Sequence, residues 1–122
     1  TIKKLKEFGL LSKLNSERIH ITEPLGYIDF QSLVKHSKCV LTDSGGIQEE
    51  TTYRQIPCLT LRENTERPIT ISQGSNKLVQ LDTQTVATEL DEILYGNGKI
   101  GSIPELWDGK SSERILEILS KL

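Results

Sequence analysis

Chemistry concentrates in the run Val40-Leu41-Thr42-Asp43-Ser44-Gly45-Gly46-Ile47-Gln48-Glu49-Glu50. A short apolar stretch meets a Ser-Gly-Gly turn, and helix-compatible residues follow. Strand, small-residue turn and helix together aim free backbone N–H groups at an anion. Glycine has no Cβ, so a phosphate can approach the main chain closely at Gly45 and Gly46. Glu50 lies four residues after Gly46, on the same helix face, and its side chain leans back toward the turn. A carboxylate there can accept from both hydroxyls of a ribose diol. The pattern points to a nucleoside diphosphate: phosphates on the turn, ribose on the acid.

Each of these residues has a plainer reading. Ser44 and the glycines also suit an ordinary capped strand-to-helix turn. Neither G-x-G-x-x-G nor the P-loop pattern is present, and Thr42 stands where a nucleophile elbow needs glycine. Ser44 therefore reads as a hydrogen-bond donor. Asp43 would repel a phosphate unless it turns back to cap backbone N–H groups, so it reads as structural. Glu50 could simply favour the helix dipole as a surface glutamate, a reading that fits Gln48 and Glu49 better. Arg67 matches phosphate oxygens with a planar fork, or pairs at the surface with Glu63 or Glu66. Phe30 can stack on a base, or fill the core between helix and sheet, as a lone phenylalanine more often does. His20 and His36 have no carboxylate partner close in sequence.

The chain has 122 residues, a formal net charge of −2 and a pI of about 5.7, which gives no electrostatic footprint for nucleic acid or an anionic membrane. No apolar run approaches the length of a bilayer span. The opening Thr1-Ile2-Lys3-Lys4-Leu5-Lys6 is charged rather than secretory, and lacks a methionine, as expected of a piece of a longer protein or of a processed product. Cys39 and Cys58 each sit in an apolar run and read as reduced core residues. No C-x-x-C or His/Cys cluster suggests a metal. A cytoplasmic setting is expected.

The elements that must position this chemistry alternate. Residues 3–14 read as a helix interrupted near Gly9, and residues 18–22 as a strand. Asp29 is placed to cap a helix running to His36. Strands follow at 38–41, 57–61 and 77–79. Helices follow Gly46, begin at Pro68, run over 83–94, and start at Ser111 or Ser112. This alternation predicts an α/β fold: a Rossmann-like parallel sheet with helices on both faces, in one domain over residues 1–122. Ligands bind beyond the carboxyl ends of such strands, which puts the loops 24–30, 43–46 and 62–67 on one rim.

Three ordered motifs carry a resemblance: Leu41 to Glu50, Thr65-Glu66-Arg67-Pro68, and Gly74-Ser75-Asn76-Lys77-Leu78-Val79. Together with Asp108-Gly109-Lys110-Ser111-Ser112 they closely resemble the bacterial UDP-N-acetylglucosamine 2-epimerase family across essentially the whole chain. The resemblance implies the C-terminal, UDP-binding half of a GT-B-like two-domain fold, with the first strand of that half missing. It implies that Phe30 contacts the uracil, that Ser44, Gly45 and Gly46 hold the phosphates, and that Glu50 binds the ribose. Arg67 would be a further nucleotide-site residue. It implies inversion at C2 by elimination and re-addition of UDP, with no cofactor and no metal. The acidic residues and the histidine serving that step belong to segments absent from this chain, so the resemblance assigns no catalytic residue here. Expected partners are the UDP-sugar and the enzyme's N-terminal domain, with a homo-oligomer allowed for the complete enzyme, and this piece alone is expected to be inactive. A GT-B glycosyltransferase domain and a non-catalytic remnant are the competing readings.

Overall fold

The computed structural model describes residues 2–122 and divides into two compact units, residues 1–30 and 31–122. In the first, helix α1 spans Ile2–Glu7 and a 3-10 turn spans Leu11–Leu14. Gly9 ends α1 at φ +63°, and Leu10 N–H reaches back to the Leu5 carbonyl at 2.9 Å. Glycine tolerates that left-handed backbone, which explains the interruption the sequence shows there. Residues 18–22 are not a strand, against expectation. Ile19 and Ile21 alternate as a strand would, but no other strand lies in the described residues of this unit to complete a ladder.

Helix α2, Tyr27–His36, begins in the first unit and ends in the second. Its first residue precedes Asp29, so Asp29 sits within the first turn and favours the dipole instead of capping the helix. The Gly26 carbonyl accepts the first helical bond, from Phe30 N–H at 2.9 Å.

The second unit holds the sheet. Strands β1 (Val40–Thr42), β2 (Cys58–Thr60) and β3 (Asn76–Leu78) pair in parallel in the order β1-β2-β3. Val40 is level with Cys58, and Cys58 with Asn76. β2 is central and buried at every residue, as a strand of a covered parallel sheet should be. The crossovers carry helices α3 (Gly45–Arg54) and α4 (Pro68–Ser72). Helices α5 (Thr83–Leu94) and α6 (Ser111–Leu119) complete the unit. Asp82 caps α5 by accepting from Thr85 N–H at 2.8 Å. The expected α/β class and parallel sheet are therefore present, with three strands. No helix of the described residues is long and apolar enough to cross a membrane.

The core of this unit is as much polar as apolar. Val34, Cys58, Leu59 and Val79 are buried, and so are Gln48, Thr51, Thr52, Thr60, Thr70 and Asn76. Most of their polar atoms are paired, Gln48 Nε2 and Thr52 Oγ1 being without a partner among the described residues: Thr60 Oγ1 donates to Asn76 Oδ1 at 2.7 Å, and Asn76 Nδ2 to Thr70 Oγ1 at 3.1 Å and Gln48 Oε1 at 3.2 Å. Pairing is what makes such burial tolerable. Backbones also meet closely. A Cβ on Gly101 would lie 2.3 Å from the Gly74 carbonyl carbon and the Ser75 nitrogen.

Candidate functional site

Ser44 is the N-cap of α3 in extended backbone, and the two glycines form its first helical positions. Ser44 N–H donates to Thr42 Oγ1 at 3.1 Å, while the Ser44 side chain makes no capping bond. Among the described residues nothing accepts from the backbone N–H of Gly45, Gly46 or Ile47. The first turn of a helix leaves these donors orphaned, and the helix dipole adds positive potential there. Asp43 does not turn back to satisfy them, contrary to expectation, and so leaves them open. The space is open as well: a Cβ on Gly46 would meet nothing within 4 Å, and one on Gly45 only Glu66 Oε2, at 3.9 Å. Glu66 is a solvent-exposed carboxylate. Its own backbone N–H, then Arg62 at 3.4 Å, hold it below the usual carboxylate range. It carries negative charge beside the turn on an exposed side chain paired with Arg62.

Glu50 lies one helical turn beyond Gly46 and is half-buried. Its Oε2 accepts from Gln31 Nε2 of α2, and Gln31 Oε1 in turn accepts from Arg54 Nε at 2.9 Å. Glu50 Oε1 has no donor among the described residues.

Arg67 takes neither of its expected partners. Its Nε lies 2.9 Å from Glu49 Oε1, both side chains a little over two-fifths exposed. The oxygen sits off the line of the N–H, so the contact is an ion pair rather than a directed hydrogen bond. One terminal nitrogen, Nη1, reaches the Glu66 carbonyl only at 3.4 Å. The loop carrying Arg67 is fixed from below: Arg67 N–H donates to Thr65 Oγ1 at 3.0 Å, and that hydroxyl donates to Gln48 Oε1 at 2.7 Å. Thr70 Oγ1 donates to the Arg67 carbonyl at 2.7 Å.

α3 thus brings Ser44, Gly45, Gly46 and Glu50 together, and Arg67 joins them through Glu49. Phe30 belongs to the first unit, half-buried in α2. Gln48 corrects the sequence reading: it is fully buried rather than a surface residue, because its carbonyl serves Thr65 and Asn76. Gln31 is a site residue that the sequence does not mark. Its only sequence signal is a polar residue at a helix position where Val34, three residues on, is core.

The cysteines are poor nucleophiles. Burial, then the neighbouring Cys58, pushes the Cys39 thiol up to about 11, and burial also raises Cys58. Both are free thiols.

A family model described as UDP-N-acetylglucosamine 2-epimerase matches residues 3–120. The UDP-N-acetylglucosamine 2-epimerase of Methanocaldococcus jannaschii is 46% identical over 121 residues, covering 98% of this chain and 32% of the relative. That of Bacillus subtilis is 36% identical over 118 residues, covering 93% of this chain and 30% of the relative. A crystal structure of the Methanocaldococcus jannaschii enzyme in complex with UDP-GlcNAc and UDP superposes with TM-score 0.80 at 42% identity, over 100% of this chain and 33% of that one. The chain therefore spans about a third of the length of the relatives it matches.

Proposed function

The chain belongs to the UDP-N-acetylglucosamine 2-epimerase family, and on that premise we propose that it forms the UDP-binding part of a UDP-GlcNAc 2-epimerase. One observation carries this reading: the unclaimed amides of Gly45, Gly46 and Ile47 face open space at two residues without side chains. A pyrophosphate supplies the acceptors those donors lack. Ser44 Oγ adds a donor, and Arg67 adds the positive charge that amides alone do not. Glu50 takes the ribose hydroxyls through its uncommitted oxygen. Phe30 is assigned to the uracil on the family resemblance alone.

The reaction proposed for the complete protein is inversion at C2 of UDP-GlcNAc. A base takes the C2 proton, the C–H electron pair forms a C1=C2 double bond, the C1–O bond breaks, and UDP departs with its charge on the β-phosphate. UDP then re-adds to C1 in its original sense while a proton is delivered to C2 on the opposite face, which inverts C2 alone. Helix-terminal amides and Arg67 stabilise that departing charge, the part of the barrier preorganised donors lower best. The proton is handled by groups in the N-terminal domain of the same enzyme. This chain alone is proposed to bind UDP and turn nothing over. The test is incubation of the complete protein with UDP-GlcNAc and no acceptor, followed by NMR. The C2 epimer is expected, and Glu50→Ala should slow its appearance. Turnover only after an acceptor is added would replace this reading with glycosyl transfer.

A further inference from the structure

We infer that Gln31 is a positioning residue that keeps the Glu50 carboxylate available to a ribose diol, and so sets the preference for ribonucleotides over 2′-deoxyribonucleotides. The inference rests on the reading of Glu50 above. Glu50 and Arg54 stand four apart on α3, the spacing at which glutamate and arginine ordinarily pair directly. Here they do not pair. The Gln31 amide stands between them, its Nε2 donating to Glu50 Oε2 and its Oε1 accepting from Arg54 Nε at 2.9 Å. Gln31 is only 5% exposed and comes from another helix, so the amide is fixed by packing as well as by its two bonds.

The consequence is chemical. A direct Arg54 pair would draw the carboxylate toward the C-terminal end of α3, away from the turn, and would occupy it with a two-pronged cation. The neutral amide occupies one oxygen with one bond. It leaves Oε1 without a donor and the negative charge uncancelled. Adjacent 2′ and 3′ hydroxyls can both donate to such a carboxylate. A 2′-deoxyribose has one donor fewer and leaves part of it unpaired, which is how polar sites reject analogues.

Calorimetric titration of the full-length protein with UDP and with 2′-deoxy-UDP tests this. Wild type is expected to prefer UDP by roughly tenfold or more. Gln31→Leu removes the amide at similar volume and lets Arg54 reach Glu50. The preference should fall below about threefold, with 2′-deoxy-UDP affinity held within about twofold. Gln31→Glu, isosteric and still able to pair with Arg54, replaces the donor by an acceptor. It should lose the preference likewise, and it carries the test if the leucine variant does not fold. A folded variant of either kind that keeps the wild-type preference overturns the role of Gln31 and leaves the ribose reading intact. A wild type that binds both nucleotides equally overturns the ribose reading itself, and one that binds neither overturns the proposed function.

Discussion

The Arg67 guanidinium starts from an ion pair, its Nε 2.9 Å from Glu49 Oε1. Both partners are substantially exposed, and such pairs are worth about 0.2–1 kcal/mol. A diphosphate bound as proposed would have to draw Arg67 off Glu49 or share it. Glu49→Gln should therefore tighten UDP binding by up to roughly fivefold, the equivalent of that pair energy. Arg67→Ala should weaken it by roughly tenfold or more. Calorimetry at two salt concentrations checks both. Weaker binding by the Glu49 variant would mean that the pair positions the arginine rather than competes for it.

Gly46 offers a way to separate folding from binding. A Cβ there meets nothing, and its backbone is ordinary helix, so Gly46→Ala should be as stable as wild type or up to about 1 kcal/mol more stable. That same Cβ occupies the space from which a phosphate would reach the amides. UDP affinity should fall by roughly tenfold, about 1.4 kcal/mol. Thermal melts and titrations on one preparation give both numbers.

Gly101 should behave in the opposite way. Its Cβ would stand 2.3 Å from main-chain atoms of Gly74 and Ser75, which cannot step aside as a side chain can. Gly101→Ala should cost about 1–3 kcal/mol or more in urea denaturation. Any loss of UDP binding should follow the unfolded fraction.

Cys39 provides a test by pH. Burial raises its thiol to about 11 from an ordinary 9.0, so the folded state holds the proton more tightly than the unfolded chain. At pH 8 about one thiol in a thousand is thiolate. Iodoacetamide should label Cys39 slowly there, and the rate should climb roughly tenfold per pH unit toward 11. The contribution to stability runs in the same sense. It is complete below pH 9.0 and is lost as pH rises to about 11. Rapid labelling at pH 7 would contradict the half-buried setting that raises this thiol.

What could be read from sequence was local. The Ser44-Gly45-Gly46 turn, the stop at Gly9 and the helix over 83–94 are set by residues within a few positions of one another. What could not be read depended on distant partners. The alternation of Ile19 and Ile21 suggested a strand, but a strand needs a neighbour, and alternation carries no information about one. The buried stripe of α3 is Gln48, Thr51 and Thr52, so no apolar periodicity marks it. Gln48 is inside because Thr65 and Asn76, 17 and 28 residues along, bring it hydrogen bonds. Arg67 chose Glu49 over the acids next to it because the fold, not the chain, decides which carboxylate is close.

The mixed interior of the second unit has a calorimetric consequence. Among the described residues, Val34, Cys58, Leu59, Val79 and Pro104 are the apolar side chains buried there, beside eight polar ones. Hydrating newly exposed apolar surface raises heat capacity, and hydrating polar surface lowers it. The increment on melting should fall below the usual ~12–15 cal/mol/K per residue. The unit would then lose little of its resistance to unfolding on cooling or on moderate warming.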